Sequence, residues 1–173
     1  MAKKTLIVVD MQNDFVTGSL ANPAAQEIIP FIKSEIESGN YSNILFTQDT
    51  HTNRYLYSLE GRNLPVTHCV QGTKGWEIVD ELKDYATESN TIWKPTFGFT
   101  GWWHDEYGLL DTDEIVIVGT CTDICVVSNA LIIKALWPEK PITVLAKGCA
   151  GVTPEKHAAA LETMRSCQIN VVE

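Results

Sequence analysis

Asp10, Asp49, His51, Lys94 and Cys125 stand where apolar runs give way to polar sequence, and their types could do chemistry together. A cysteine nucleophile needs a way to lose its proton and a cation to hold the thiolate. Within Glu114–Leu136 a β-branched run, Ile115–Val118, breaks at Gly119-Thr120-Cys121-Thr122 and resumes as an apolar pattern of helical length. Cys125 thus falls in the first turn of a helix, where unpaired backbone N–H groups and the helix dipole favour an anion. A lowered thiol pKa is expected there. Asp10 could take the thiol proton and return it to a leaving amine, if burial raises its pKa. Lys94 could stabilise the thiolate, and the backbone N–H groups of Cys121 and Cys125 could form an oxyanion hole. That set is a device for acyl transfer. The plain alternative is that Cys125 is one more buried small residue, the usual fate of free Cys, and that the others are ordinary polar loop residues.

A second group stands in the stretch after Gln48. Asp49 and His51 are two apart, so an extended chain points both side chains to one side. His68 lies further on, and Glu60 between them is a candidate fourth ligand. Asp, His and His are ordinary ligands for zinc or a similar divalent ion, and iron or manganese accepts the same mix. Asp-x-His with a distant His is a weak motif, and surface histidines with a solvated Glu are the alternative. Phe15, Trp93 and Phe97, with Phe99, Trp102 and Trp103, supply aromatic walls for a flat ligand or caps for the core at the sheet edge.

The elements that must position these residues read as alternating strands and helices. Apolar runs at Thr5–Val9, Asn43–Gln48, Thr91–Trp93, Ile115–Val118, Ile142–Ala146 and Ile169–Val172 predict strands. Helical periods cover Pro23–Ser38, with Asn22 as N-cap, Gly75–Tyr85, and Pro154–Cys167 with Thr153 as N-cap. Residues 105–110 predict a helical turn, and residues 11–22 a loop. From Thr50 to about Thr73 there is no good period, and so long a connection is usually functional or disordered. Continuous apolar strands indicate a parallel sheet covered on both faces. The expectation is α/β: a Rossmann-like three-layer domain, residues 1–173, with a central six-stranded parallel sheet in the order 3-2-1-4-5-6. In such a sheet ligands bind beyond the carboxyl ends of the strands, where Asp10, Asp49, Lys94 and Cys125 fall.

A net charge of −9 argues against a nucleic-acid surface, which needs basic clusters. No apolar run approaches membrane-spanning length, and Thr5–Val9 is too short for a signal-peptide core. Five cysteines without paired spacing point to a reduced, cytoplasmic setting. Cys121 and Cys125 are spaced C-x-x-x-C, which leaves a redox or binding role open beside the hydrolytic one.

The motifs Leu6-Ile-Val-Val-Asp10-Met-Gln-Asn-Asp-Phe15, Thr47-Gln-Asp49-Thr-His51, His68-Cys-Val-Gln-Gly-Thr73, Lys94-Pro-Thr-Phe97 and Val118-Gly-Thr-Cys-Thr-Asp-Ile-Cys125-Val occur in this order. Through them the chain resembles the isochorismatase-like cysteine hydrolases, and among them the metal-containing nicotinamidase/pyrazinamidase branch. The resemblance implies a triad of Asp10, Lys94 and Cys125, metal binding by Asp49, His51 and His68, a pocket wall at Phe15, and a cis peptide between Thr120 and Cys121. It implies hydrolysis of nicotinamide to nicotinate and ammonia through a Cys thioester, with one divalent ion positioning the pyridine nitrogen. Another amide or carbamoyl hydrolase of the superfamily is the alternative. A homo-oligomer would fit the family. The chain departs from the branch in two places. No His occurs in Asn53–Ser58, which leaves Glu60 as fourth ligand. Pro65 stands where many members have Trp, so Trp93, Phe97 or Tyr107 must complete the pocket.

Overall fold

The computed structural model describes residues 2–173; Met1, the first residue of the charged N-terminal segment, lies outside the described residues. Six strands form one sheet: β1 (Lys4–Val9), β2 (Asn43–Asp49), β3 (Thr91–Lys94), β4 (Glu114–Thr120), β5 (Ile142–Ala150) and β6 (Asn170–Val172). Their order is β3-β2-β1-β4-β5-β6 and every pairing is parallel, as the continuous apolar runs predict. β1 and β4 are adjacent, Val9 opposite Gly119, and the chain winds outward from them in both directions. Their carboxyl ends therefore face a common crevice.

Alternation along β1 divides the core. Leu6 and Val8 pack with the helices α2 (Pro23–Glu27) and α3 (Ile29–Glu37) on one face. Ile7 and Val9 pack on the other, with α5 (Val127–Leu136) and α6 (Pro154–Ser166). Two short helices, α1 (Asn13–Val16) and α4 (Leu59–Asn63), lie in the loops after β1 and β2.

Helix ends follow the side chains that cap them. Asn22 accepts from the Ala24 N–H ahead of Pro23, and Thr153 accepts from Lys156 ahead of Pro154. The helix expected over Pro23–Ser38 is two, broken at Ile28. Pro30 is the reason: it has no N–H to give to the preceding turn.

The helix expected over Gly75–Tyr85 is not formed; only Lys83–Tyr85 is a helical turn. Ile78, Val79 and Leu82 are buried as the pattern requires. Their backbone partners lie elsewhere: Val79 N–H donates to Met11, Asn13 to Glu77 and Asp14 to Gly75, and Ile78 bridges Gln12. The segment runs as successive turns, with local bonds such as Leu82 N–H to Val79, tied to the loop after β1, and that loop carries α1 where none was expected. The turn at Asp105–Tyr107 is present.

Candidate active site

Asp10 ends β1 in the left-handed region, φ 49°, a conformation that Asp tolerates better than most residues. Its N–H donates to the Thr47 carbonyl at 3.1 Å, which ties it to β2. Its carboxylate takes the Thr47 hydroxyl at 2.6 Å on one oxygen and the Lys94 ammonium at 2.6 Å on the other. Period two along β3 turns Ile92 and Lys94 inward, and Lys94 is fully buried. Its Nζ also donates to the Thr96 carbonyl at 3.1 Å.

Cys125 arrives from β4. Gly119 has φ 124° and passes so close to β1 that a Cβ there would lie 2.1 Å from the Val9 carbonyl oxygen. The Thr120–Cys121 peptide is cis. The chain then makes a π-helical turn over Thr122–Val126 before α5 begins. The Cys121 carbonyl accepts from Ile124 at 3.0 Å and Val126 at 3.1 Å, bonds that pass over the N–H of Cys125. Single π-turns recur at functional sites. Cys125 is buried in this turn, and all five cysteines are free thiols.

The electrostatics of Asp10, Lys94 and Cys125 are mutual. Burial pushes the Asp10 carboxyl up, against the opposing pull of Lys94. Burial by itself would lower Lys94, but Asp10 and then Cys125 raise it above its ordinary value. The lowered thiol pKa expected of Cys125 is not found in the resting site. Burial, and next the Asp10 carboxylate, hold the thiol well above its ordinary value, against the pull of Lys94. A helix start favours an anion only to the extent that the site is wet or paired, and here desolvation wins. Asp10 and Lys94 therefore act on the thiol in opposite directions.

The second group assembles beside the first. Asp49, His51, Glu60 and His68 each offer one ligand atom, and these atoms all lie within 4.8 Å of one another. Asp49 ends β2, and its backbone is clamped by Gln12, which accepts from the Asp49 N–H and donates to its carbonyl, both at 2.8 Å. Glu60 comes from α4, whose N-cap Ser58 accepts from the Gly61 N–H. His68 Nδ1 is 2.8 Å from the Val66 carbonyl, which leaves Nε2 for the centre. Tyr55 packs on both imidazoles, 4.7 Å from His51 and 4.8 Å from His68.

His51 Nε2 lies 2.8 Å from Asp49 Oδ2 and 3.5 Å from Glu60 Oε1. His68 Nε2 lies 3.4 Å from the same Asp49 oxygen and 3.7 Å from the same Glu60 oxygen. Yet Asp49 Oδ1 and His51 Nε2 are buried with no hydrogen bond. A buried His51 nitrogen without a hydrogen bond, in a space shared with Asp49 Oδ2, Glu60 Oε1 and His68 Nε2, suits a cation at that point. The residues present fit a divalent ion. Burial works to raise Asp49, but His51 and His68 outweigh it and hold the carboxyl well below the usual range. Burial works to lower His68, and Asp49 outweighs it upward. Asp49 joins the two groups: its Oδ1 is 4.0 Å from Lys94 Nζ.

The aromatic residues separate. Phe15, on α1, is buried with its ring 5.5 Å from that of His68, beside the group of Asp49, His51, Glu60 and His68. Trp93 goes elsewhere: beside inward Lys94 it must point outward, and it packs on Trp76 at 5.2 Å, still 51% exposed. Phe97 is 45% exposed, and Tyr107 packs with Phe99 and Trp102 away from the ligands.

Gln12 carries a scaffolding role that was not expected of it, and so does Asn129. Gln12 lies between Met11 and Asn13, and Asn129 between Ser128 and Ala130, and neither neighbourhood names the distant partners of its amide.

The isochorismatase domain family model matches residues 4–173, nearly the whole chain. The chain belongs to the isochorismatase family. It is a hydrolase of that family. It is 31% identical to the nicotinamidase/pyrazinamidase of Mycobacterium tuberculosis, with 98% of each chain covered. The solved structure of the yeast nicotinamidase bound to the inhibitor nicotinaldehyde matches with a TM-score of 0.83 at 26% identity, covering 98% of this chain and 99% of that one. The pyrazinamidase of Pyrococcus horikoshii, solved in complex with zinc, matches with a TM-score of 0.77 at 28% identity over 99% of both chains. Among the described residues no helix is long and apolar enough to cross a membrane.

Proposed function

We propose that this protein is a nicotinamidase, hydrolysing nicotinamide to nicotinate and ammonia through a thioester on Cys125. One observation carries the reading: a buried Asp10–Lys94 pair beside a buried thiol, joined through Asp49 to a cluster of His and carboxylate ligand atoms in which His51 Nε2 is buried without a partner. The names of the relatives supply the substrate class. A divalent ion held by Asp49, His51, Glu60 and His68, zinc foremost with iron or manganese as alternatives, would supply a Lewis-acid anchor for the pyridine nitrogen.

The chain's own residues do the rest. Phe15 lies against the ligand group and offers an apolar wall to a flat ring. The Cys125 thiol gives its proton to Asp10 as sulfur attacks the carboxamide carbon. The N–H groups of Cys121 and Cys125 receive the oxyanion, at a worth of about 2.7–4 kcal/mol per donor in other acyl-transfer sites. The tetrahedral adduct collapses with cleavage of the C–N bond, and Asp10 returns the proton to the departing ammonia. Water then attacks the thioester and gives a proton to Asp10. Collapse of the second adduct expels the Cys125 thiolate, which Asp10 reprotonates. Lys94 stays charged throughout and keeps the paired negative charge tolerable in a dry site. A carboxyl pushed up by burial suits a group that must both take and give a proton near neutral pH.

The test is ammonia release from a panel of small amides that includes nicotinamide and pyrazinamide. Cys125→Ala abolishes release from nicotinamide while the fold survives; retained turnover in that variant would sink the mechanism. A wild-type protein that spares both pyridine-type amides and cleaves another amide or a carbamoyl substrate would move the substrate assignment to that second class.

A further inference from the structure

Asn129 is fully buried near the start of α5, and its side-chain amide bonds in four directions. Nδ2 donates to the Cys125 carbonyl at 2.8 Å and to the Phe97 carbonyl at 3.2 Å. Oδ1 accepts from the Phe99 N–H and from the Trp102 indole N–H, both at 2.9 Å. One amide thus joins the nucleophile's own peptide group to the loop that follows Lys94. That loop is also where the Lys94 ammonium makes its second bond, to the Thr96 carbonyl, one residue before Phe97.

We propose that Asn129 is a positioning residue for the Cys125 attack, setting the π-turn that carries the thiol in register with the Lys94 loop. The inference rests on the hydrolytic reading of the triad and adds a residue to it. Three facts support it together. Asn is a poor choice for a helix interior and for full burial, so its presence asks for a specific partner set. Its donors and its acceptor are all engaged, which makes it a rigid joint. Its partners are the two segments whose separation determines how far the Lys94 charge sits from sulfur. No other side-chain hydrogen bond reaches the Cys125 backbone among the described residues.

Geometry of this kind shows in turnover before it shows in binding. A misplacement of about 1 Å costs on the order of 100-fold in rate. Asn129→Asp keeps the acceptor for Phe99 and Trp102 at the same volume and replaces the donors with an oxygen. Asn129→Ser shortens the side chain and loses its reach to both segments. Trp102→Phe removes one loop anchor without touching the Cys125 peptide. The measurements are kcat and KM for nicotinamide, the rate of Cys125 alkylation by iodoacetamide followed by peptide mass spectrometry, and the thermal midpoint.

Asn129→Asp and Asn129→Ser are expected to lower kcat by at least about tenfold with KM within about twofold, and to change the alkylation rate at Cys125. Trp102→Phe is expected to lower the thermal midpoint and to change the alkylation rate less than either Asn129 variant, because Asn129 keeps its bonds to the Cys125 and Phe97 carbonyls. Wild-type kcat and alkylation in a folded Asn129 variant would overturn the proposal, and so would an alkylation change in Trp102→Phe equal to theirs. Wild-type protein that releases no ammonia from any amide would instead overturn the hydrolytic reading, while the alkylation comparison still tests the joint.

Discussion

Asp10 and Lys94 are shut away from solvent with their polar atoms engaged, whereas Asp49, at the end of the neighbouring strand, and His51 are left with buried atoms that bond to nothing. The first pair is completed by folding alone, because carboxylate, ammonium and Thr47 hydroxyl satisfy each other. The second group keeps buried atoms that no partner among the described residues satisfies. Both stand on one edge, with Asp49 4.0 Å from Lys94, so on the proposed reading a self-sufficient proton-transfer pair adjoins a group that takes a cation. The difference predicts that the two can be broken separately.

The largest effect is expected on breaking the self-sufficient site. Asp10→Asn removes the proton acceptor and the carboxylate partner of a buried ammonium. Nicotinamide turnover is expected to fall by about 100- to 10,000-fold, the usual weight of a general base. Unpairing a buried ion pair costs about 3–5 kcal/mol, so the thermal midpoint falls too. Alkylation of Cys125 should move the other way. Asp10 holds the thiol up and Lys94 holds it down, so removing Asp10 lowers the thiol pKa and enlarges the thiolate fraction. Iodoacetamide kinetics near neutral pH check the sign. A variant slower in both turnover and alkylation would mean that Asp10 does not oppose the thiolate.

How far this arrangement could be foreseen varies with the kind of signal. The sheet was legible because each parallel strand is an uninterrupted apolar run. Its order was legible because strands alternate with helices. Lys94 and Asp49 were legible as the polar residues at which those runs stop. The segment Gly75–Tyr85 misled because apolar residues at Trp76, Ile78, Val79 and Leu82 fit a helix and the last three are in fact buried, while the backbone of residues 75–79 bonds to residues 11–14 and the rest closes only short turns. Periodicity reports burial and cannot report which backbone is the partner. Pro30 was a readable break that the longer period concealed. The sign of the Cys125 shift failed for a different reason. A helix start is local, but the depth of burial and the facing Asp10 are tertiary. Asn129 had no local signal, and Gln12 stood inside the Leu6–Phe15 motif without any sign of its bonds to Asp49.

A smaller effect is expected on breaking the cation-dependent group. Chelation should lower hydrolysis reversibly, by less than Asp10→Asn does, and leave Cys125 reactive to iodoacetamide, since the triad needs no ion to form. A bound ion present at about 100 times its dissociation constant adds about 2.7 kcal/mol to stability, so the midpoint should fall on chelation and recover with metal. Glu60→Gln sharpens the point. Glu60 is the most exposed of the four, and burial raises its carboxyl, against the lowering pull of His51. It keeps an oxygen ligand as Gln but loses the charge. Metal affinity is expected to weaken by about 10- to 100-fold, the scale of losses around metal ligands, with kcat restored at saturating metal. Unchanged metal titration in Glu60→Gln would remove Glu60 from the ligand set.

The smallest effect is expected at Trp93, one residue from Lys94 and on the opposite side of β3. Strand geometry makes the two mutually exclusive as site residues: with Lys94 at the triad, Trp93 cannot wall the same space. Its ring instead meets Trp76 edge-on at 5.2 Å, in the groove between β3 and the 75–82 segment. An aromatic pair of this kind is worth about 0.5–1.5 kcal/mol beyond its buried area, and half of Trp93 is in water. Trp93→Ala should therefore lower the thermal midpoint by a few degrees and leave kcat/KM within about twofold. Phe15→Ala is the contrast, because Phe15 lies against His68 and its loss should raise KM. If Trp93→Ala raised KM as much as Phe15→Ala, the substrate would have to reach across β3. The separation of the buried triad from the outer aromatic pair would then be wrong.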